Sequence, residues 1–238
     1  MYYTLLFLQF AAHLLADFNC QPHQWCDAKD RKLFSKEVFY HTLVVLGFSW
    51  AFACFAWPFL WASLAIALFH LGLDIVKSYF IRKNSLEKYL FFIDQALHFA
   101  FITFVVMLYC RSYLPFQPYC VPPPQCAFIL FALIACTKPA NIFIKKFMEA
   151  NFIFPIDEKS PQENATLMNA GRVIGFLERI LSLILILVGQ WAAIGFIIAA
   201  KTILRFRETN TAKTEYVLIG SLLSFGIAIL LGITYSKL

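Results

Sequence analysis

Apolar residues in this chain neither alternate with polar ones nor recur only every third or fourth position; they run on in blocks. Eight blocks have roughly the 17 to 25 residues that cross a hydrocarbon core, near 2–18, 39–57, 59–80, 90–109, 126–147, 170–188, 191–207 and 214–235. The pattern predicts an all-α integral membrane protein of about eight transmembrane helices. Trp57-Pro58 and Gly189-Gln190 fall between closely spaced blocks and read as tight turns of helical hairpins. The first block starts at Met1 with no basic stretch before it and carries an ionisable pair, so it is expected to be a retained span rather than a cleaved leader.

Composition agrees: 61% of residues are apolar, Phe alone occurs 27 times, and only 14% are charged. The positive charges alternate between loops. Lys29, Arg31, Lys32 and Lys36 follow the first block, and Arg82, Lys83 and Lys88 follow the third. Lys145, Lys146 and Lys159 follow the fifth, and Arg207 and Lys213 the seventh, whereas the two tight turns carry none and 110–125 only Arg111. Because cytoplasmic loops retain positive charge, the expected topology is N-out/C-out. The same rule, with attraction to anionic lipid, explains the net charge of +6, so no nucleic-acid partner is inferred. The external segment CRSYLPFQPYCVPPPQC holds Cys110, Cys120 and Cys126: either one disulfide with a thiol left over, or three loop thiols. The expected organisation is a four-helix bundle over 1–110, an external Pro/Cys loop over 111–125, and a second four-helix half over 126–238 with a basic cytoplasmic face.

Inside the first four blocks sit four ionisable pairs, each four residues apart: His13 and Asp17, Glu37 and His41, His70 and Asp74, Asp94 and His98. Residues at that spacing share a helix face. The order within the pairs reverses with the direction of the span, so all four histidines are expected in one layer, with the carboxylates about 6 Å nearer the cytoplasm at ~1.5 Å of rise per residue. Position 41 follows 13 by 28 residues and 98 follows 70 by 28, while 70 follows 13, and 98 follows 41, by 57. Such offsets suggest a bundle of two repeated hairpins.

Ionisable groups in a bilayer are costly unless paired or ligated. Neutral imidazole and carboxylate are common divalent-metal ligands, and helical bundles build such sites from inward-facing pairs. The candidate ligands are His13, Asp17, His41, His70, Asp74, Asp94, His98 and Glu37, enough for one or two ions of zinc, manganese or iron. Glu37, beside Lys36 at a helix start, also has the plain role of complementing the helix dipole. Asp17, Asp74, Asp94 and Lys77 are the candidate catalytic groups, and Gln21, Gln95 and Lys77 stand within a turn to orient an oxyanion. The competing interpretation is a set of hydrogen-bonded pairs that clamp helices together. His23, in the polar CQPHQWC, reads as solvated, and Cys20 and Cys26 are poorly spaced for a zinc clip.

The second half has no histidine but places Arg172, Glu178 and Arg179, then Lys201 and Arg205, then Glu215 at the cytoplasmic ends of its spans. Arg172, Arg205 and Lys201, with Gln95, are candidate substrate-binding residues for a phosphate or carboxylate. Alternatively, Glu178 pairs with Lys201 or Arg179 and the arginines snorkel. Gly171 and Gly175 make a small-xxx-small step for close helix packing. The polar stretch 155–169 is expected to be a mobile cytoplasmic loop.

HLLADF with Gln21 after it, His41, HLGLDIVK, FIDQALH, GRVIGFLER, AAKTILRF and EYVLIGSLLSF, in that order, resemble the bacterial multi-pass membrane family catalogued as domain of unknown function 3307, over essentially the whole chain. The resemblance implies an integral protein of a bacterial inner membrane and carries no activity. The expected function is a metal-dependent hydrolase acting on a membrane lipid or lipid-linked substrate. The alternatives are a divalent-metal or proton transporter and a non-catalytic sensor or scaffold.

Overall fold

The computed structural model describes residues 1–22, 36–82, 87–112, 122–153, 161–205 and 211–238, with side chains throughout except at 82, 87–88, 161–170, 204–205 and 211–214. The described residues form nine α-helices and no strand: α1 (Tyr2–Leu14), α2 (Lys36–Phe52), α3 (Leu60–Arg82), α4 (Glu87–Ser112), α5 (Pro124–Ala135), α6 (Lys138–Ala150), α7 (Pro161–Leu187), α8 (Trp191–Arg205) and α9 (Thr211–Tyr235). They divide into two compact units, Met1–Ala135 and Cys136–Leu238.

The outer surface is greasy, with Phe39, Trp61, Leu68, Phe104, Phe196 and Leu230 exposed. Trp57–Ile81, Tyr89–Ser112 and Glu215–Tyr235 are long and apolar enough to cross a bilayer, and α5 with α6 makes a fourth if that broken pair is one span. Eight spans were expected. The 17 residues of α2 extend only about 26 Å at ~1.5 Å per residue, short of a ~30 Å hydrocarbon core. The predicted fifth span, 126–147, is broken after Ala135; Pro139 cannot continue a preceding helix, and α6 restarts with it in its first turn. α6 is amphipathic, with Lys138, Lys145 and Lys146 exposed and Ala140 and Met148 buried. The polar stretch expected to be a loop is helical from Pro161 onward.

In the first unit α1 is the central helix, packing against α2, α4 and α5, while α2 packs on α3 and α3 on α4. Ala11, Ala12 and Ala16 let neighbours approach α1 closely, and all three are buried. One end of this bundle holds an apolar core that includes Leu5, Phe59, Ile102, Val106 and Tyr109. α2 ends before the expected Trp57-Pro58 turn: Cys54 and Phe55 take left-handed backbone (φ 54° and 53°), and a short 3-10 turn, Trp57–Phe59, leads into α3.

In the second unit α7 packs on α9 and α8, and α6 on α9. The Gly189-Gln190 turn is as expected. Gly189 has φ +76°, and the amides of Gly189 and Gln190 return to the carbonyls of Ile186 and Leu185 at 2.9 and 2.7 Å, a glycine-closed helix end. Of the external cysteines, Cys110 is buried and Cys126 exposed, both as free thiols; Cys120 lies outside the described residues, as do His23, Cys26, the loop lysines and arginines at 29, 31, 32, 83, 159 and 207, and the side chains of Lys88 and Lys213.

Candidate metal centre

The four histidines meet. Ring centroids of His13 lie 5.5 Å from His70 and 4.9 Å from His98, and His70 lies 5.0 Å from His41 and 4.1 Å from His98. All four are at most 3% exposed. Phe99, edge-on to His13 and Phe10, and Phe69, stacked on Phe101 at 3.8 Å, pack apolar surface around them. The i, i+4 pairs of three helices are thus brought to one interior position, as helix periodicity requires.

Asp17 is the hub. After Leu14, α1 widens into a π turn, Leu15–Asn19, closed by the Cys20 amide on the Leu15 carbonyl at 2.9 Å. Widened turns of this kind recur at functional positions because they re-aim a side chain. Asp17 Oδ1 accepts from His70 Nε2 at 2.7 Å and His41 Nε2 at 3.1 Å, while Oδ2 accepts from Gln95 Nε2 at 3.2 Å and lies 3.8 Å from His13 Nε2. Gln95 Oε1 in turn accepts from His13 Nε2 at 3.3 Å. Gln95 is therefore part of this cluster, between Asp17, Asp94 and His13.

These bonds assign protons. Carboxylates only accept, so Nε2 of His70 carries hydrogen toward Asp17, and Nδ1 of a neutral His70 is a bare lone pair. That nitrogen makes no hydrogen bond, and it faces Asp74 Oδ2 at 3.6 Å. Two acceptors face each other across a buried gap, which a second proton on His70 or a cation must bridge. The donors around a tetrahedral ion with bonds of ~2.0–2.1 Å stand about 3.3 Å apart. Among the described residues, two sets offer donor atoms all within 4.8 Å of one another, His13/Asp17/His70 and His41/His70/Asp74, and both could hold a metal ion. His13 Nδ1, His98 Nε2 and Asp94 Oδ1 are likewise buried and without a hydrogen bond.

Charge points the same way. Asp17, Asp74 and Asp94, with side chains 11%, 11% and 5% exposed, face one ammonium, Lys77, whose Nζ is 2.7 Å from Asp94 Oδ2. Three carboxylates gathered in an apolar interior are the kind of set that a cation stabilises. The Lys77 side chain is 29% exposed, against at most 11% for the three carboxylates. Glu37 stands half-buried one turn before His41 on α2, and Gln21 half-buried just beyond the π turn.

Arg172 is exposed on α7, Lys201 is ion-paired with Glu178, and the Arg205 side chain lies outside the described residues. Sequence reasoning missed two buried polar networks. Arg179 is 1% exposed and donates to the Cys136 carbonyl at 2.8 Å, Ser224 Oγ at 3.0 Å and Asn141 Oδ1 at 2.6 Å, with Gly175 leaving room beside its guanidinium. In the first unit Gln9 Nε2 donates to the Ser49 carbonyl at 2.8 Å, Ser49 Oγ to Gln9 Oε1 at 2.7 Å, and the Ser63 hydroxyl lies 3.0 Å from Ser49 Oγ. A glutamine one turn before His13, on the same face, was the signal for the latter.

Described residues that are helical throughout their regular structure, with apolar outer faces and helices of membrane length, define a helical membrane protein. Residues 5–121 match the family described as "Protein of unknown function (DUF3307)", and this part of the chain belongs to it. The match takes in α1 to α4, the helices that carry the cluster; GRVIGFLER, AAKTILRF and EYVLIGSLLSF lie outside it, so membership is seen for the first half of the chain. Searches of the curated proteins and of the solved structures find no match.

Proposed function

We propose that α1 to α4 hold a divalent metal ion in the membrane interior and that this centre belongs to a hydrolase acting on a lipid or lipid-linked substrate at the cytoplasmic side of a bacterial inner membrane. The observation that supports the metal is His70 Nδ1, buried without a hydrogen bond and facing the Asp74 carboxylate at 3.6 Å, on a histidine shared by both donor sets. An ion there would supply a Lewis acid and a hydroxide at neutral pH. The chain's own residues do the rest: Asp17, held by two histidines and Gln95, and Asp74 ligate and accept protons, while Lys77 and Gln95 orient an oxyanion. The half-open Lys77 side against histidines at most 3% exposed favours a substrate that reaches the cluster from one end.

A second reading, transport of a divalent metal or protons, draws on the Gln9–Ser49–Ser63 network, which extends the polar seam one turn beyond His13. The apolar core of Leu5, Phe59, Ile102 and Val106 closes that end of the bundle and favours the enzyme. The two separate in nanodiscs and proteoliposomes. A hydrolase cleaves members of a lipid ester and phosphoester panel, stops with chelator, restarts with added metal and is silenced by Asp74→Asn. Metal flux without turnover of any panel member would replace the hydrolase by the transporter.

A further inference from the structure

The amphipathic α6 has only 13 residues, which rise about 20 Å at ~1.5 Å each, too little to cross a bilayer. Its contacts with α7 and α9 fix its depth. Arg179 donates both to Asn141 Oδ1, in the first turn of α6, and to Ser224 Oγ on α9, while a Cβ at Gly220 would lie 3.9 Å from Met148 Sδ. Within the apolar stretch Glu215–Tyr235, Ser224 stands about 13 Å of helix rise from Glu215 and Gly220 about 8 Å. α6 therefore runs beside α9 toward the polar edge of that stretch, and its last turn lies close to that edge.

Lysines and an aromatic ring meet there. Lys145 and Lys146, with side chains 61% and 46% exposed, both reach forward along α6 to the Glu149 carboxylate, at 3.8 and 3.0 Å. That direction carries the ammoniums toward the edge, as snorkelling lysines do. α6 then closes with the Ile153 amide on the Met148 carbonyl at 2.9 Å, and Phe152 holds the left-handed backbone (φ 58°) that such a helix end requires. Glycine is the usual residue in that conformation; a bulky side chain adopts it at a cost, and this one is 69% exposed. Exposed ammoniums beside an exposed aromatic ring, at the end of an amphipathic helix, suit the head-group region of a membrane. We propose that the C-terminal end of α6 binds an anionic phospholipid, the Lys145 and Lys146 ammoniums taking its phosphate and Phe152 entering the boundary between head group and acyl chain. Glu149 draws the two ammoniums together and tempers their attraction for the lipid. The inference does not rest on the metal centre.

The test titrates phosphatidylglycerol and phosphatidylcholine separately into the detergent-solubilised full chain and reads the first bound lipid by native mass spectrometry. Wild type is expected to bind phosphatidylglycerol about tenfold more tightly, the order of preference that two basic residues at a membrane surface supply. Lys145→Gln with Lys146→Gln should bring the two lipids to within about twofold of each other, and Glu149→Gln should widen the preference. Lys237→Gln, which removes an exposed lysine beyond the other end of α9, should leave it as in wild type. A preference absent from wild type or kept by the double variant would overturn the inference, as would an equal loss in Lys237→Gln, the mark of attraction by overall charge. Phe152→Gly, which relaxes the backbone, should weaken both lipids alike; unchanged binding there would mean an anion held by the lysines alone and would overturn the lipid.

Discussion

Asp17→Asn separates a metal ligand from a hydrogen-bond hub. The substitution keeps the shape and removes one negative charge. An amide oxygen in place of Oδ1 still accepts from His41 and His70, now at 3.1 and 2.7 Å, but an NH2 in place of Oδ2 faces Gln95 Nε2 at 3.2 Å, donor against donor. Gln95 cannot simply turn its amide over, because Oε1 accepts from His13 Nε2 at 3.3 Å. The fold therefore loses one charge-assisted bond, about 1.5–3 kcal/mol, partly offset because the cluster's negative charge falls. Metal affinity loses more: outer partners of ligands are worth ~10–100-fold and a charged ligand at least the upper figure, so a weakening of ~100-fold or more, about 2.7 kcal/mol, is expected. Zinc titration against a competing chelator in nanodiscs reads the affinity, and unfolding in SDS reads the stability. A change of less than tenfold in affinity alongside a clear loss of stability would refute the ligand role and leave Asp17 as a helix clamp.

Arg179→Ala should destabilise the second unit by about 3–5 kcal/mol, seen as a lower SDS midpoint, because it opens a cavity and strands Cys136 O, Asn141 Oδ1 and Ser224 Oγ; metal content should stay as in wild type. Gly232→Ala should cost about 1–3 kcal/mol in the same assay, since a methyl there would sit 2.8 Å from Ile186 Cδ1. Gln9→Leu leaves the buried Ser49 carbonyl and hydroxyl short of a partner and should cost about 1–3 kcal/mol with zinc affinity nearly unchanged; a large affinity loss would place Gln9 in the metal centre.

The cluster was visible in the sequence because four pairs share one spacing, and helix periodicity converts spacing into direction. His13, His41, His70 and His98 meet as that periodicity demands. The π turn was invisible, since LADFN has no residue that forces a five-residue turn; only packing against His41 and His70 reveals why Asp17 is re-aimed. Gln9, Ser49 and Ser63 escaped notice because uncharged polar residues are common in apolar helices, and only burial gives them meaning. Arg179 was read as a candidate for snorkelling or pairing with Glu178, but Glu178 bonds Lys201 and the guanidinium turns inward to Cys136. The break after Ala135 carried a signal in Pro139, outweighed by the apolar run on both sides of it. Chain direction and membrane depth depend on the loop charges, most of which lie outside the described residues.

The most direct measurement is metal content by plasma mass spectrometry on detergent-purified wild type and on a His13→Ala, His70→Ala double variant. His70 belongs to both donor sets, so the pair of substitutions disables both. A stoichiometric divalent metal in wild type that disappears in the variant is the predicted result. Equal metal in both, or none in wild type after reconstitution with zinc, manganese and iron, would contradict the metal centre and leave the four pairs as a hydrogen-bonded clamp between helices.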